Sequence, residues 1–247
     1  MRIGILSDIH CNTDAFKAVL DEFDRQGVEK LIFLGDVIGI GVHAEECAKL
    51  LMQQQSKFIG AVSGNHEGYM LYGPPEYVHN NIKEGKTPQD ILDIFHWNHS
   101  QLSPDSVDFL KNLPTEQIIE TDGATIFVTH YPAAERFNYT KYYDKSDLAQ
   151  CEELFDGHAA KIYLYGHTHI PNEVYGDNHI FLNPGSVGCP IETNSASAGI
   201  LDIEKDKITY EQLDIVYDIE TVIDDMLQHS SEVPAIDYTV RRFYRED

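Results

Sequence analysis

Basic residues are scarce in this chain: 18 Lys and Arg stand against 41 Asp and Glu, a formal net charge of −23. So negative a body repels nucleic-acid phosphates, because binding by counterion release needs Lys and Arg. A polymeric nucleic acid is therefore not the expected partner. Cysteine is sparse too. Cys11, Cys47, Cys151 and Cys189 are the only four, with no CxxC spacing, which excludes a disulfide framework and a thiolate zinc site. No apolar run approaches the roughly 20 residues that cross a bilayer, so no membrane partner is expected. The opening MRIGILSDIH turns polar too soon for a signal-peptide core. A cytoplasmic setting is expected. Internal repeats and low-complexity stretches are also missing. What remains is 247 residues, 42% hydrophobic and 24% charged, enough for one sizeable core in a single domain over 1–247.

Short apolar runs rich in Ile, Val and Phe occur at 2–7, 30–34, 57–63, 125–129, 161–165 and 179–182, and each predicts a strand. Between them, 13–26, 43–55 and 146–156 carry apolar residues at helical spacing, as at Ala15, Val19 and Leu20. The runs 198–203 and 207–217, joined across 204–206, predict a hairpin. This alternation predicts an α/β fold, a mixed sheet covered by helices. Two stretches break the rhythm. Residues 69–114 hold a Gly-Pro-Pro and two predicted helices, 89–100 and 104–112, and read as an inserted helical lobe. Residues 131–145 are irregular and rich in Tyr, and the tail after Pro234 reads as a polar end or partner-binding arm.

The informative residues stand just past the predicted strands. Asp8 and His10 come after the first, Asp36 after the second, and Gly64-Asn65-His66-Glu67 after the third. His130 succeeds 125–129, and Gly166-His167-Thr168-His169 succeeds 161–165. Ligands of open α/β sheets bind at the carboxyl ends of strands, so five strands deliver Asp, His and Asn to one rim. Imidazole and carboxylate without thiolate suit Mn, Fe, Zn, Ni or Co. His167 and His169, two residues apart, project to opposite sides of an extended backbone, which suits two different ions. Asp36 is a candidate bridge between them. Glycines 35, 64 and 166 are expected to make the tight turns.

These motifs, in this order, resemble the calcineurin-like metallophosphoesterase superfamily, in its bacterial phosphodiesterase-like branch. The resemblance runs from the start to about residue 203. It implies a four-layer α/β/β/α sandwich and two metal ions, manganese foremost. Asp8, His10, Asp36 and His169 would hold one ion, and Asp36, Asn65, His130 and His167 the other. His66 would be the catalytic histidine at the leaving oxygen, with Glu67 orienting it. Asn183-Pro184-Gly185-Ser186 resembles a supporting turn of small bacterial members.

One departure shapes the functional reading. Protein phosphatases of this superfamily, and hydrolases that cut dinucleoside tetraphosphates symmetrically, carry Asp-Arg-Gly after the second motif. Here 35–41 reads GDVIGIG, with no Arg to clamp phosphate. The expected substrate is a small phosphodiester or nucleotide, with asymmetric cleavage of a dinucleoside polyphosphate such as diadenosine tetraphosphate as the specific candidate. Arg136, Tyr139 and Lys141 are candidate substrate contacts, cations for distal phosphates and an aromatic face for a base. The alternatives are a phosphomonoesterase or protein phosphatase, a nuclease, and a non-catalytic metal-binding scaffold; retention of His66 speaks against the last. Cys11, beside the first motif, is a candidate redox residue.

Overall fold

The computed structural model describes residues 1–133, 137–139, 141–191, 194–205 and 207–244. In β1 (Arg2–Leu6), Ile3, Gly4, Ile5 and Leu6 are all buried. A strand covered on both faces belongs inside a sheet. On one side it pairs in parallel with β2 (Lys30–Phe33), Ile5 opposite Ile32. On the other it pairs antiparallel with β9 (Ala196–Glu204), Ile5 opposite Gly199. Parallel β3 (Phe58–Ala61) extends the sheet past β2, and β10 (Lys207–Ile215) completes a hairpin with β9, giving the order β10-β9-β1-β2-β3. Asp206, expected in the hairpin turn, lies outside the described residues.

The second sheet comprises β4 (Glu116–Glu120), β5 (Thr125–Thr129), β6 (Ile162–Leu164), β7 (Asn172–Tyr175) and β8 (Ile180–Asn183), ordered β4-β5-β6-β8-β7. β5, β6 and β8 run parallel; the edges β4 and β7 run antiparallel. The sheets face one another through Ile3, Ile5, Ile32 and Leu34 on one side and Ile126, Val128, Ile162 and Leu164 on the other.

Helices cover the outer faces. In α1 (Thr13–Arg25) the Asn12 side chain caps the Ala15 N–H, and Ala15, Phe16, Val19 and Phe23 form the buried stripe. With α2 (Ala44–Gln53) and α6 (Pro104–Lys111), α1 covers the first sheet, where Phe16, Val19 and Phe23 meet Leu31, Phe33, Leu51 and Leu110. α7 (Leu148–Leu154) covers the second, through Cys151 and the adjoining Phe155 against Phe127, Tyr163 and Phe181. The layering is thus helix, sheet, sheet, helix. The β3–β4 connection holds α3 (Asn65–Tyr72), α4 (Glu76–Lys83), α5 (Ile91–Gln101) and α6; the helices expected at 89–100 and 104–112 correspond to α5 and α6.

The sequence reading differs from the structure at the edges and the C-terminus. β4 has no fully buried residue, and its Ile118 is 64% exposed, so it lacks the apolar run that marks an inner strand. The stretch beyond Pro234, read as a polar arm, is a packed helix, α9 (Ile236–Phe243). Its Ile236 and Val240, with Tyr244, pack on Val222, Ile223 and Met226 of α8 (Ile219–Gln228) and on Ile40, Val42 and Cys189. The apolar residues recur at steps of four among charged ones, a single helical stripe hidden in a polar average.

Candidate metal centre

The parallel strands aim their carboxyl ends at one pit. Asp8 and His10 lie past β1, and Asp36 past β2. Asn65 and His66 open α3 after β3, His130 comes directly after β5, and His167 and His169 come after β6. Asp8, His10, Asp36, Asn65, His130 and His169 are buried. His66 and His167 are half-buried and form the open side.

Five of these residues have left-handed backbone: Asp8 (φ 55), His10 (φ 49), Asp36 (φ 58), His167 (φ 70) and His169 (φ 61). Such a conformation is uncommon outside glycine and costs about 1–3 kcal/mol per residue. It persists because the loops are cross-bonded. Asp8 N–H donates to Gly35 C=O at 3.0 Å, His10 N–H to Asp36 C=O at 3.1 Å, and Gly166 N–H to His130 C=O at 2.8 Å. Of the glycines expected at the turns, Gly35 has positive φ (102), and the functional residues share that strain.

Three imidazoles are locked in one tautomer. His10, His130 and His169 each donate Nδ1–H to a backbone carbonyl, of Ile38 (3.1 Å), Leu34 (2.7 Å) and Cys189 (2.9 Å). A carbonyl only accepts, so in the neutral rings Nε2 presents a bare lone pair to the pit. His10 Nε2 and His169 Nε2 lie 3.0 Å apart, and Asp8 Oδ1 lies 3.5 and 3.2 Å from them. That carboxylate oxygen is buried with no hydrogen-bond partner among the described residues. Lone pairs and a bare carboxylate so gathered are stable around a cation. Across the pit, His130 Nε2 is 3.2 Å from Asp36 Oδ2 and 3.1 Å from Asn65 Oδ1. The donor atoms of Asp8, His10 and His169, and separately of Asp36, His130 and His167, lie within 4.8 Å of one another; His10, Asp36 and His66 make a third such group. His167 and His169 thus fall in different groups, as expected, though left-handed turns and not an extended backbone part them.

Burial alone would raise both carboxyls, but the imidazoles around them outweigh it and hold Asp8 and Asp36 below the usual carboxylate range. Burial lowers His130 as well; Asp36 and Asp8 overcome it and push the ring up to about 9. His66 and His167 are pushed down to about 3, chiefly by burial, and stay neutral.

Glu67 does something other than expected. Instead of orienting the His66 ring, its buried carboxylate accepts the N–H groups of Asp36 (2.9 Å), Val37 (2.9 Å), Ile38 (3.2 Å) and Gly64 (2.8 Å). It staples the Asp36 turn to the start of α3. Burial and then the nearby Asp36 carboxylate push it up to about 7, against the pull of those amides. In return His66 N–H donates to Asp36 Oδ1 at 2.8 Å, so the positive end of α3 faces the carboxylate. The Asn183–Ser186 turn ties two loops together: Asn183 Nδ2 bonds Gly166 C=O (2.9 Å), and Ser186 Oγ bonds Asp8 C=O (2.8 Å).

Sequence reasoning missed Asn98 of α5. Its Oδ1 accepts Gly39 N–H at 3.2 Å and the Cys11 thiol at 3.1 Å, joining two motif loops from a helix that carries no motif. Burial pushes the Cys11 thiol up, and it acts as a donor to Asn98. Gly39 (φ +85) lies against His66, where a Cβ would fall 2.0 Å from His66 Nδ1. Gly39→Ala is therefore expected to displace that ring and lower turnover by about 10²-fold with metal content unchanged. Elemental analysis beside an activity assay checks this, and a variant of normal activity would exclude a positioning role.

The three candidate substrate contacts diverge. Arg136 lies outside the described residues. Lys141 is paired with Glu153, 2.5 Å away on the exposed surface. The Tyr139 ring, half-buried, is packed against His167 (centroids 4.4 Å apart) and Tyr131 (5.4 Å). Among the described residues, no Lys or Arg forms an ion pair with Asp8 or Asp36. No helix among them is long and apolar enough to cross a membrane.

The family model described as the calcineurin-like phosphoesterase superfamily domain matches residues 1–206. An uncharacterized protein of Methanocaldococcus jannaschii, MJ0912, is 28% identical over 249 residues, covering 92% of each chain. Phosphodiesterase YfcE of Escherichia coli is 25% identical over 202 residues, 82% of this chain and 88% of its own. The crystal structure of a metallophosphoesterase from Sphaerobacter thermophilus shares the fold, with a TM-score of 0.72 at 23% identity over 98% of this chain and 97% of its own.

Proposed function

Since the chain belongs to the calcineurin-like phosphoesterase superfamily, and so is a metal-dependent phosphoesterase, we propose that it hydrolyses small phosphodiesters. The observation that carries this reading is the convergence of bare His10 Nε2, His169 Nε2 and Asp8 Oδ1 beside the Asp36–His130–His167 group. Asp8, His10, Asp36 and His169 would hold one ion, and Asp36, Asn65, His130 and His167 the other. Two such ions supply Lewis acidity toward phosphoryl oxygens and a nucleophile at neutral pH. The chain's own groups do the rest. Asp36 joins the two ligand groups, the Nδ1–H bonds hold the imidazoles in register, and neutral His66 offers an N–H to the leaving oxygen. The helices between β3 and β4 act as the inserted lobe, supplying Asn98 and Phe95 to the pit's surroundings.

Charge favours a diester over a monoester. Asp8 and Asp36 would cancel half the charge of two divalent ions, imidazoles that ligate those ions through Nε2 add none, and the Glu67 carboxylate is met by its four amides. A diester monoanion and one anionic nucleophile balance the remainder. A phosphomonoester dianion leaves an unpaired negative charge in a buried site, which is costly. Nucleotides remain within the class, asymmetric cleavage of dinucleoside polyphosphates included, with Arg136, Tyr139 and Lys141 as the contacts proposed for it. The test is hydrolysis of bis-p-nitrophenyl phosphate against p-nitrophenyl phosphate by manganese-loaded protein, then a nucleotide and dinucleoside-polyphosphate screen with product identification. A clear preference for the monoester would overturn the diester reading.

A further inference from the structure

We infer that the Tyr139 hydroxyl is a phosphate-binding donor, contacting a non-bridging oxygen of the bound phosphoryl group. This rests on the phosphoesterase reading of the same pit.

The starting point is an unmet hydrogen bond. The Tyr139 hydroxyl oxygen is buried and has no partner among the described residues. Leaving a buried hydroxyl unpaired costs about 1–3 kcal/mol, and tyrosines inside proteins normally find a partner. The neighbouring tyrosines conform: Tyr131 accepts from Tyr143 N–H, and the Tyr69 and Tyr77 hydroxyls bond each other. Tyr139 alone of these four is left open.

Its surroundings say what it faces. The ring lies on His167 at the open side of the pit. His167 in turn belongs to the donor group with Asp36 and His130, so the ring stands beside the metal-binding atoms. A phenolic hydroxyl is a neutral donor at neutral pH. An unpaired donor on a ring packed against a metal-binding histidine, on the side where solvent enters, stands where a phosphoryl oxygen would arrive.

The segment is anchored for such a task. Phe137 has left-handed backbone (φ 54), and its ring lies so close to Gly68 of α3 that a Cβ there would fall 2.1 Å from Phe137 Cδ2. The Phe137–Gly68 contact ties the segment to the helix that carries His66. The missing Arg of the 35–41 segment gains a physical counterpart: a neutral donor holds phosphate without adding charge, which suits a monoanion. A cationic clamp would favour the dianion.

The test is Tyr139→Phe, which removes only the hydroxyl. Manganese-loaded wild type and variant are titrated with inorganic phosphate by calorimetry, assayed on bis-p-nitrophenyl phosphate, and melted without metal. A net hydrogen bond of the usual size corresponds to about 3–10-fold in affinity. The variant is therefore expected to bind phosphate about 3–10-fold more weakly and to lose at least as much in kcat/KM. Its metal content should be unchanged and its melting temperature equal or higher, because the deleted hydroxyl had no partner to lose. A lowered melting temperature with unchanged phosphate affinity would overturn the inference and make the hydroxyl structural. Unchanged values throughout would overturn it as well. Wild-type protein that neither binds phosphate nor cleaves the diester would instead sink the reading of the pit, and this inference with it.

Discussion

His66→Ala is expected to lower turnover by about 10²–10⁴, the scale for a general acid or a preorganised donor, while both metal ions stay. The ring stands at the open side with 18% of its side chain exposed. Its Nε2 is 4.0 Å from Asp36 Oδ2, and Nδ1 has no partner among the described residues. His10 packs edge-on to it at 4.8 Å and Phe95 at 5.4 Å, so its orientation is set by packing and by Gly39. His10, His130 and His169 are different: each is tied through Nδ1 to a carbonyl, the arrangement that prepares Nε2 for a metal. The neutral His66 ring has no such tether, so one of its nitrogens is free to offer an N–H to a reacting oxygen. The rival assignment is concrete, because His10, Asp36 and His66 also lie within metal-binding reach of one another. Metal analysis with phosphate titration separates the two. If His66→Ala sheds an ion and regains activity at high manganese, His66 is a ligand and the assignment to the leaving group fails.

The parts of this site that could be read from sequence share one physical cause. Each of Asp8, Asp36, Asn65, His130 and His167 comes shortly after a short apolar run that reads as a strand, so hydrophobic pattern and chemistry mark the same place. The two-sheet sandwich was foreshadowed by the resemblance, and the family match bears that resemblance out. What stayed hidden depends on tertiary contact. Asn98 reaches Gly39 from 59 residues away, and Cys189 enters only through its carbonyl, which any residue would supply. Glu67 was noticed for its position beside His66, yet its partners are backbone amides of another loop that no side-chain motif can announce. β4 and α9 escaped because their apolar content is thin, one being an edge strand and the other a single stripe among charges. Tyr139 was noticed for its ring; the structure turns interest to its hydroxyl.

Asp36→Asn is expected to empty both metal positions, whereas Asp8→Asn should empty one. Asp8 belongs to the group with His10 and His169, while Asp36 faces all sides: its Oδ2 lies 3.2 Å from His130 Nε2, 3.9 Å from His10 Nε2 and 4.0 Å from His66 Nε2. Among the described residues, no other side chain belongs to both the His10 and the His130 groups. Replacing one carboxylate oxygen by an amide removes the negative charge and puts N–H donors among cation-seeking lone pairs. Breaking a buried charge pair costs about 3–5 kcal/mol, which is about 10²–10⁴ in affinity for each ion that shares Asp36. The backbone need not suffer. Asn keeps an oxygen able to accept His66 N–H where Asp36 Oδ1 does now, and the Asp36 N–H bond to Glu67 involves no side chain of residue 36. The variant should therefore fold with a metal-free melting temperature near that of metal-free wild type, yet hold less than one ion per chain after dialysis. Elemental analysis of the two variants in parallel decides the matter: equal losses from Asp8→Asn and Asp36→Asn, or full occupancy in Asp36→Asn, would rule out a shared carboxylate.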